Sequence, residues 1–291
     1  MGIIISRSLD IHYNLATEEY LLRHYDLKED ILFIWYGSKA FVYGRNQNPF
    51  IEINSQYLLN DSIPKIRRVS GGGTIYQDNG TINFSYITHD YKNKINNYLF
   101  FLQPVIDLLK SKGLNAHFQP KSHLFVNDKK ISGNAQAFIN NRLLHHGTLL
   151  YDTDLNIIHQ ALIDHSQEAK GHQVLSNKQP VENLKNMLST DMTNFVKEMI
   201  EKISKDRNIS LNEIVLDKNK INEIKKEKYL SWDWNFGKTP KFSIETFLKD
   251  RLVNIHVENG IIKDIDLKDK DQWIGIKYYS QAFFKLINLY K

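Results

Sequence analysis

Arginine and glycine set side by side are the first chemistry this chain offers, in Arg67-Arg68-Val69-Ser70-Gly71-Gly72-Gly73. Three consecutive glycines let the backbone enter φ > 0 and let a ligand approach without meeting a Cβ. Successive bare N–H groups beside fixed guanidinium charges then form a concavity for an anion. The implied occupant carries phosphate or carboxylate. A glycine triplet also serves as a plain turn, and the adjoining arginines favour the site. A second feature is Lys129-Lys130 ahead of Ile131-Ser132-Gly133-Asn134-Ala135. Small residues there leave room beside a strand for a lysine that stabilises charge developing in acyl or nucleotidyl transfer, although a lysine next to a hairpin turn is more often solvated. His145 and His146 suggest metal or acid–base chemistry. Adjacent strand residues point to opposite faces, so the two cannot both reach one ion, and one is expected to hydrogen-bond within the core. Asp78, beside the glycine loop, suits Mg²⁺ and backbone capping equally. No H-E-x-x-H and no G-x-x-x-x-G-K-[ST] occurs, so a nucleotide would need another architecture.

These residues must be held by elements legible around them. Ile82, Phe84 and Tyr86 repeat every second residue, the pattern of a strand with one face in a core, and Val69 and Ile75 flank the glycines as strand ends. Asn14 is the expected cap of a helix carrying Leu15, Glu18, Glu19, Leu21 and Leu22. Ile31–Tyr36 and Ala40–Gly44 read as strands joined through Gly37-Ser38-Lys39 as a hairpin, leaving through the polar loop 44–49. Leu99, Leu102, Ile106 and Leu109 predict a helix ending at Gly113. A meander follows, turning at Asn127-Asp128 and Asn140-Asn141. Thr153 or Asp154 caps a short helix, 166–180 reads as an exposed loop, and Met192, Phe195, Met199 and Ile203 share a helix face. A Lys/Glu-rich helix runs to about Tyr229. Beyond an aromatic junction, a hairpin at Asn259-Gly260 and a helix over 280–290 form a small C-terminal unit. Sheet with helices on its faces makes the fold class α+β, with domains at 1–240 and 241–291.

Composition bounds the function. The 291 residues are 42% hydrophobic with no cysteine, which removes disulfides, thiolate metal sites and cysteine nucleophiles together. Net charge is +5 and the isoelectric point about 9.0. The lysines from Lys197 to Lys228 alternate with acids, as on a solvated helix face, so an anionic substrate or acidic protein partner is expected rather than nucleic acid. No apolar run approaches the roughly 18 residues of a membrane span, and Ile3-Ile4-Ile5-Ser6 reads as a first strand rather than a signal or acylation segment. A cytoplasmic location with no membrane partner is expected.

Four motifs occur in order: Gly-Arg-Asn-Gln-Asn-Pro at 44–49, Arg-Arg-Val-Ser-Gly-Gly-Gly at 67–73, Lys-Ile-Ser-Gly-Asn-Ala-Gln at 130–136 and His-His-Gly-Thr-Leu-Leu at 145–150. Together they resemble the lipoate–protein ligases. Segments 14–21 and 234–242 extend the resemblance to most of the chain. It implies a biotin/lipoyl-ligase-type catalytic domain, a small accessory domain and a reaction in two steps. Lipoate attacks the α-phosphate of MgATP, and the lipoyl-AMP is then attacked by a lysine of an acceptor lipoyl domain, an E2 subunit of a 2-oxoacid dehydrogenase or the glycine-cleavage H protein. The resemblance further implies Lys130 as the catalytic residue and ATP or adenylate contacts from Arg68, Gly71, Gly72, Gly73, Ile75, Tyr76, Asp78 and Lys130. Lipoate contacts would come from Trp35, Arg68, Ser70, Gly72, Gln77, Lys130, Gly133, His146 and Gly147, and Mg²⁺ contact from Asp78.

The chain departs from the family pattern at Gln77, where a histidine is usual, at Thr81, where asparagine is common, at Ser122-His123 in place of Asn-Asp, and at Lys178-Gln179-Pro180. These departures keep a lipoyl-AMP or octanoyl transferase, and a non-catalytic binder of lipoyl domains, as alternatives. Relatives that pass the acyl group through a thioester need a cysteine, so ligation through an adenylate is favoured here.

Overall fold

The stretch Thr81–Thr88 is buried at every position, so it lies between two layers rather than at a surface. The structure, a computed structural model, describes residues 2–119, 122–162, 179–207, 214–248 and 251–289. The elements begin β1 (Gly2–Ile5), α1 (Ile11–Arg23), β2 (Ile31–Trp35), β3 (Ala40–Tyr43), α2 (Pro49–Glu52), α3 (Ser55–Leu58), β4 (Lys65–Arg67), β5 (Ile75–Gln77) and β6 (Thr81–Thr88). They continue α4 (Tyr98–Ser111), β7 (Ala116–Gln119), β8 (His123–Val126), β9 (Lys129–Ile139), β10 (Arg142–Leu150), α5 (Leu155–Ala161), α6 (Met192–Arg207) and α7 (Lys218–Ile224). The last are α8 (Trp232–Asn235), β11 (Phe242–Leu248), β12 (Arg251–Glu258), β13 (Ile261–Ile265) and α9 (Gln281–Leu289).

Among the described residues, seven strands form a sheet in the order β1-β2-β6-β10-β9-β8-β7, three form β4-β3-β5 and three form β11-β12-β13. The large sheet is mixed, with β1 parallel to β2 and the other pairs antiparallel. One of its faces carries Ile34, Phe84, Tyr86 and Leu124 against Phe101, Leu102, Phe195 and Met199 of α4 and α6. The other carries Phe33, Trp35 and Leu144 against Leu15 and Leu21 of α1 and Val42 and Ile66 of the small sheet. Phe41, Tyr43 and Tyr76, on the far side of that small sheet, pack with Val253, Ile255, Trp273 and Phe283 of the C-terminal unit. The order is α4/α6, large sheet, α1 with small sheet, then C-terminal unit. No helix among the described residues is long and apolar enough to cross a membrane.

The meander forms as its turn residues require, with Asn127, Asn140 and Asn141 at φ of 52°, 51° and 57°. Gly113 follows α4 at φ 82°, and Asp154 caps α5. The loop expected at 166–180 lies outside the described residues except for its last two positions, and the end of the last helix at 290 lies outside them too. Two expectations are corrected. Ile31–Trp35 and Ala40–Tyr43 are not a hairpin: β2 has both edges taken by β1 and β6, so β3 crosses to a second sheet between β4 and β5. The cap of α1 is Asp10, whose Oδ1 accepts from the N–H groups of His12 and Tyr13. Asn14 sits inside the helix, where its amide donates to the carbonyls of Ser8 and Tyr36.

Arg67 ends β4 fully buried. Its Nη1 donates to the carbonyls of Arg45 and Gln47, both at 2.8 Å, and its Nη2 to Asn235 O at 2.9 Å and Thr239 Oγ1 at 3.0 Å. Nε reaches Trp234 O at 3.0 Å, and the guanidinium lies 4.9 Å from the centre of the Tyr43 ring. One side chain therefore ties loop 44–47 and the junction 234–239 to the small sheet. Arg67→Met should leave these carbonyls buried without donors and reduce the unfolding free energy by about 3 kcal/mol or more. Urea unfolding would show this as a lower midpoint at unchanged slope.

Candidate active site

A cavity of about 250 Å³ opens between the large sheet, the small sheet and α1. Its floor is a row in register across four strands, Trp35, Asn83, Thr148 and Gly133. Residues in one row face the same way, and all four line the cavity. The polar alternates of β6 are thus turned to a cavity rather than to solvent. The roof is Val42, Ile75 and Gln77 of the small sheet with the glycine loop, and Leu15 and Glu18 of α1 close one side.

Arg68 builds the roof. Pointing opposite to Arg67, it donates from Nη2 to the carbonyls of Gly71 at 2.6 Å and Gly73 at 2.8 Å, and from Nη1 to Val42 O at 3.1 Å. Gly72 bends at φ 89°, and a Cβ on Gly44 would lie 2.1 Å from its carbonyl oxygen, so both positions need glycine. With the carbonyls turned to Arg68, the N–H groups of Gly71, Gly72 and Gly73 make no hydrogen bond among the described residues. Unpaired loop N–H groups are what an anion-binding concavity requires.

Lys130 reaches the cavity through a bulge. Register slips between Leu124, opposite Ser132, and Phe125, opposite Lys130, so Ile131 is the extra residue. Ile131 joins the core of Leu124, and the slip returns Lys130 to the cavity beside Gly133. Lys129 instead turns out to an ion pair with Glu182 at 2.8 Å. Among the described residues the Lys130 ammonium has no hydrogen-bond or ion-pair partner. Burial, with a smaller push from Arg68, lowers its pKa to about 8. It is a buried cation whose charge no described residue pairs, so an incoming anion can pair with it.

Behind it runs a buried chain. Glu18 Oε2 accepts from His146 Nδ1 at 3.1 Å, His146 Nε2 meets Ser70 Oγ at 2.6 Å, and Ser70 Oγ accepts from Arg68 Nε at 3.0 Å. Glu18 Oε1 accepts from Ser85 Oγ and from Trp35 Nε1. Every member is satisfied when Glu18 is ionised and His146 is neutral with its proton on Nδ1. The order Ser–His–Glu resembles a nucleophile with its base, but Ser70 is fully buried and lines neither cavity. Its role is to join Arg68 to His146. His145 faces the opposite way, stacked on Phe101 at 4.3 Å between ring centres, and burial holds its pKa well below the ordinary value.

A second, smaller cavity of about 150 Å³ adjoins the first, lined by Tyr76, Leu150, Ile158, Leu162, Val181 and Ser132 among others. The two share Thr74, Ile75, Lys130, Gly133 and Thr148. Of the residues expected from sequence, Trp35, Arg68, Gly72, Gly73, Ile75, Gln77, Lys130, Gly133, His146 and Gly147 line the first cavity and Tyr76 the second. Gly71 stands exposed beside the loop, and Ser70 lies behind the wall. Asp78 is elsewhere: Oδ1 accepts from Gly80 N and Oδ2 from Asp154 N, both at 3.0 Å. It caps backbone, one of the two roles expected of it, and it is not among the residues lining either cavity. No cluster of His, Asp and Glu suited to a metal occurs among the described residues. Glu18, the carboxylate on the first cavity, is committed to its chain. Among the described residues no free carboxylate faces either cavity to meet a magnesium ion, which prefers one or two carboxylates with substrate phosphates.

Sequence reasoning missed Asn83, Thr148 and Glu18 as lining residues. Glu18 follows Leu15 by three positions and precedes Leu21 and Leu22 by three and four, so it lies on the buried stripe of α1. A carboxylate there signals a partner below.

The chain matches the model of the lipoyl protein ligase A/B catalytic domain over residues 10–205. It is 34% identical over 265 residues to the lipoate-protein ligase LplJ of Bacillus subtilis, covering 88% of this chain and 80% of that one. Among solved structures it is similar to P. falciparum LipL1 in complex with lipoate, at TM-score 0.68 and 25% identity over 98% of this chain and 93% of the other. A lipoate protein ligase of T. acidophilum with bound lipoic acid matches at TM-score 0.70 and 22% identity, over 81% and 98%.

The depressed pKa of Lys130 is directly measurable. In a titration followed by the ¹³Cε resonances of lysine, Lys130 and Lys65, each lowered by burial to about 8, should change early while surface lysines change near roughly 10.4. The ammonium is charged below that midpoint and neutral above it. Lys130→Arg should delete one of the two early-titrating resonances and leave that of Lys65; an unaltered pair would show that the shifted lysine is another.

Proposed function

The chain belongs to the lipoyl protein ligase A/B family, and from the two cavities that meet at Lys130 we infer how it carries out ATP-dependent lipoate–protein ligation. The acid lies in the larger cavity with its tail toward Trp35 and its carboxylate at Lys130. The nucleotide lies with its base in the smaller, mostly apolar cavity and its phosphates beneath the N–H groups of Gly71–Gly73. The supporting observation is an ammonium that has no partner among the described residues and lines both cavities. There it would bridge a carboxylate oxygen and the α-phosphate, drawing the two anions together.

In the first step a carboxylate oxygen attacks the α-phosphorus and pyrophosphate leaves, giving the acyl adenylate. In the second the neutral ε-amine of an acceptor lysine attacks the acyl carbon, AMP leaves with the bonding electrons, and the amine loses a proton. Lys130 stabilises charge on the phosphoryl oxygens in the first step and on AMP as it departs in the second. Enclosure between the two sheets protects the mixed anhydride from water while the amine approaches. Magnesium arrives with ATP as part of the substrate, and no protein carboxylate is assigned to it. The acceptor is a lipoyl domain of a 2-oxoacid dehydrogenase E2 subunit or the glycine-cleavage H protein, and the enzyme works in the cytoplasm.

The test is the intact mass of an apo lipoyl domain incubated with the protein, lipoate and Mg²⁺, with and without ATP, and with lipoyl-AMP in parallel. A lipoyl increment that requires ATP is expected, and Lys130→Ala should reduce its rate by roughly two to three powers of ten. Modification from lipoyl-AMP alone would make the protein a transferase. No modification in any arm would leave only binding.

A further inference from the structure

Two side-chain amides at the Trp35 end of the larger cavity have nothing to bond. Gln77 is 0% exposed and Asn83 4%. Gln77 Nε2 and Oε1 and Asn83 Nδ2 lack any hydrogen-bond partner among the described residues, yet both residues line the cavity. In the floor row Asn83 adjoins Trp35 and stands two strands from Gly133, the residue beside Lys130, about 10 Å at ordinary strand spacing. Gln77 pairs with Ala40, and its Nε2 would lie 3.2 Å from a Cβ placed on Gly37, so it closes the same end from the roof. Leu15, Val42 and Trp35 supply apolar walls around both.

This end of the cavity is therefore built for an occupant that is mostly apolar but can accept hydrogen bonds. A plain alkyl tail would fill the space and leave the amide groups sealed away from water and protein alike, the costly outcome for buried polar groups. Resting on the ligase reading above, we propose that Gln77 and Asn83 determine acyl specificity. Their N–H groups donate to the ring sulfurs of a dithiolane, so the cavity selects lipoate over octanoate, an alkyl acid of equal chain length. Sulfur is a weak acceptor, so most of the selection comes from the penalty imposed on the alkyl competitor. The expected preference is roughly tenfold or more, in the range that single pocket contacts supply. Either end of the Gln77 amide can be turned to the occupant by rotation about its last torsion.

The test is calorimetric titration of each acid separately into the protein without ATP or acceptor, for wild type, Gln77→Leu and Gln77→Met. Wild type should bind lipoate at least about tenfold more tightly than octanoate. In both variants lipoate should weaken and octanoate strengthen, bringing the ratio near one, and loss of an unpaired buried amide should not lower the melting temperature. Gln77→Met keeps the test decisive should Gln77→Leu pack poorly. An unchanged ratio in the variants, or equal affinities in wild type, overturns the specificity role and leaves the ligase reading standing. Binding of neither acid to wild type overturns that reading itself.

Discussion

The site depends on two adjacent guanidinium groups buried back to back at the end of β4. A guanidinium keeps its charge even in an interior, so burial demands a full set of acceptors. Here they are mostly backbone carbonyls. Arg67 gathers those of Arg45, Gln47, Trp234 and Asn235, and Arg68 those of Val42, Gly71 and Gly73. Loop carbonyls drawn inward leave loop N–H groups facing outward. The arginine that the sequence suggests as an anion ligand therefore acts first on the backbone, setting the dipoles that an anion meets. Burial lowers the pKa of Arg68 to about 10, still far enough above neutrality to keep it charged. The nearby Glu18 carboxylate offsets that charge through His146 and Ser70.

With Arg67 engaged throughout and Arg68 donating four of its five N–H groups, Lys130 is the cavity cation that makes no hydrogen bond or ion pair among the described residues. Its place on the cavity comes from Ile131, the extra residue in β9, since strict alternation from Gly133 would turn Lys130 to the opposite face of the sheet. A bulge re-aims a side chain at the cost of a ladder bond, and part of that loss is recovered where Lys130 N donates to Pro180 O and its carbonyl accepts from Glu182 N. The segment that delivers these bonds also brings Gln179 and Val181 to the second cavity. One irregularity in a strand thus orients the lysine and recruits a wall of the adjoining cavity.

Much of this was legible in the sequence. The glycine triplet, the small-residue strand after Lys130, the Asn turns of the meander and the opposed faces of His145 and His146 follow from backbone rules that act within a few residues. What was not legible depends on partners distant in sequence. Gly37-Ser38-Lys39 carries a hairpin signal, but the free edge that a hairpin needs is taken by β6. Asn14 has a capping side chain, but Asp10 supplies the cap and leaves Asn14 to bond carbonyls at Ser8 and Tyr36. Asp78 suits a metal by type, and two backbone N–H groups claim it. Asn83 and Ser85 occupy polar positions of an alternating strand, which signals water; a second sheet and a helix cover that face instead.

That covered polar face accounts for the shape of the cavity. Along the floor row the side chains shrink from Trp35 through Asn83 and Thr148 to Gly133, so the space above the sheet deepens toward Lys130. At Gly133 there is no side chain, and a Cβ there would sit 3.4 Å from the Lys130 ammonium. The end of the row without a side chain thereby coincides with residues that line both cavities, Gly133 and Lys130. On the ligation proposed above, a tail held at the Trp35 end and a second reactant admitted at the Lys130 end would favour reaction between bound groups over release of an intermediate. The gradient of side-chain volume, set by one residue from each of four strands, is how the sheet enforces that order.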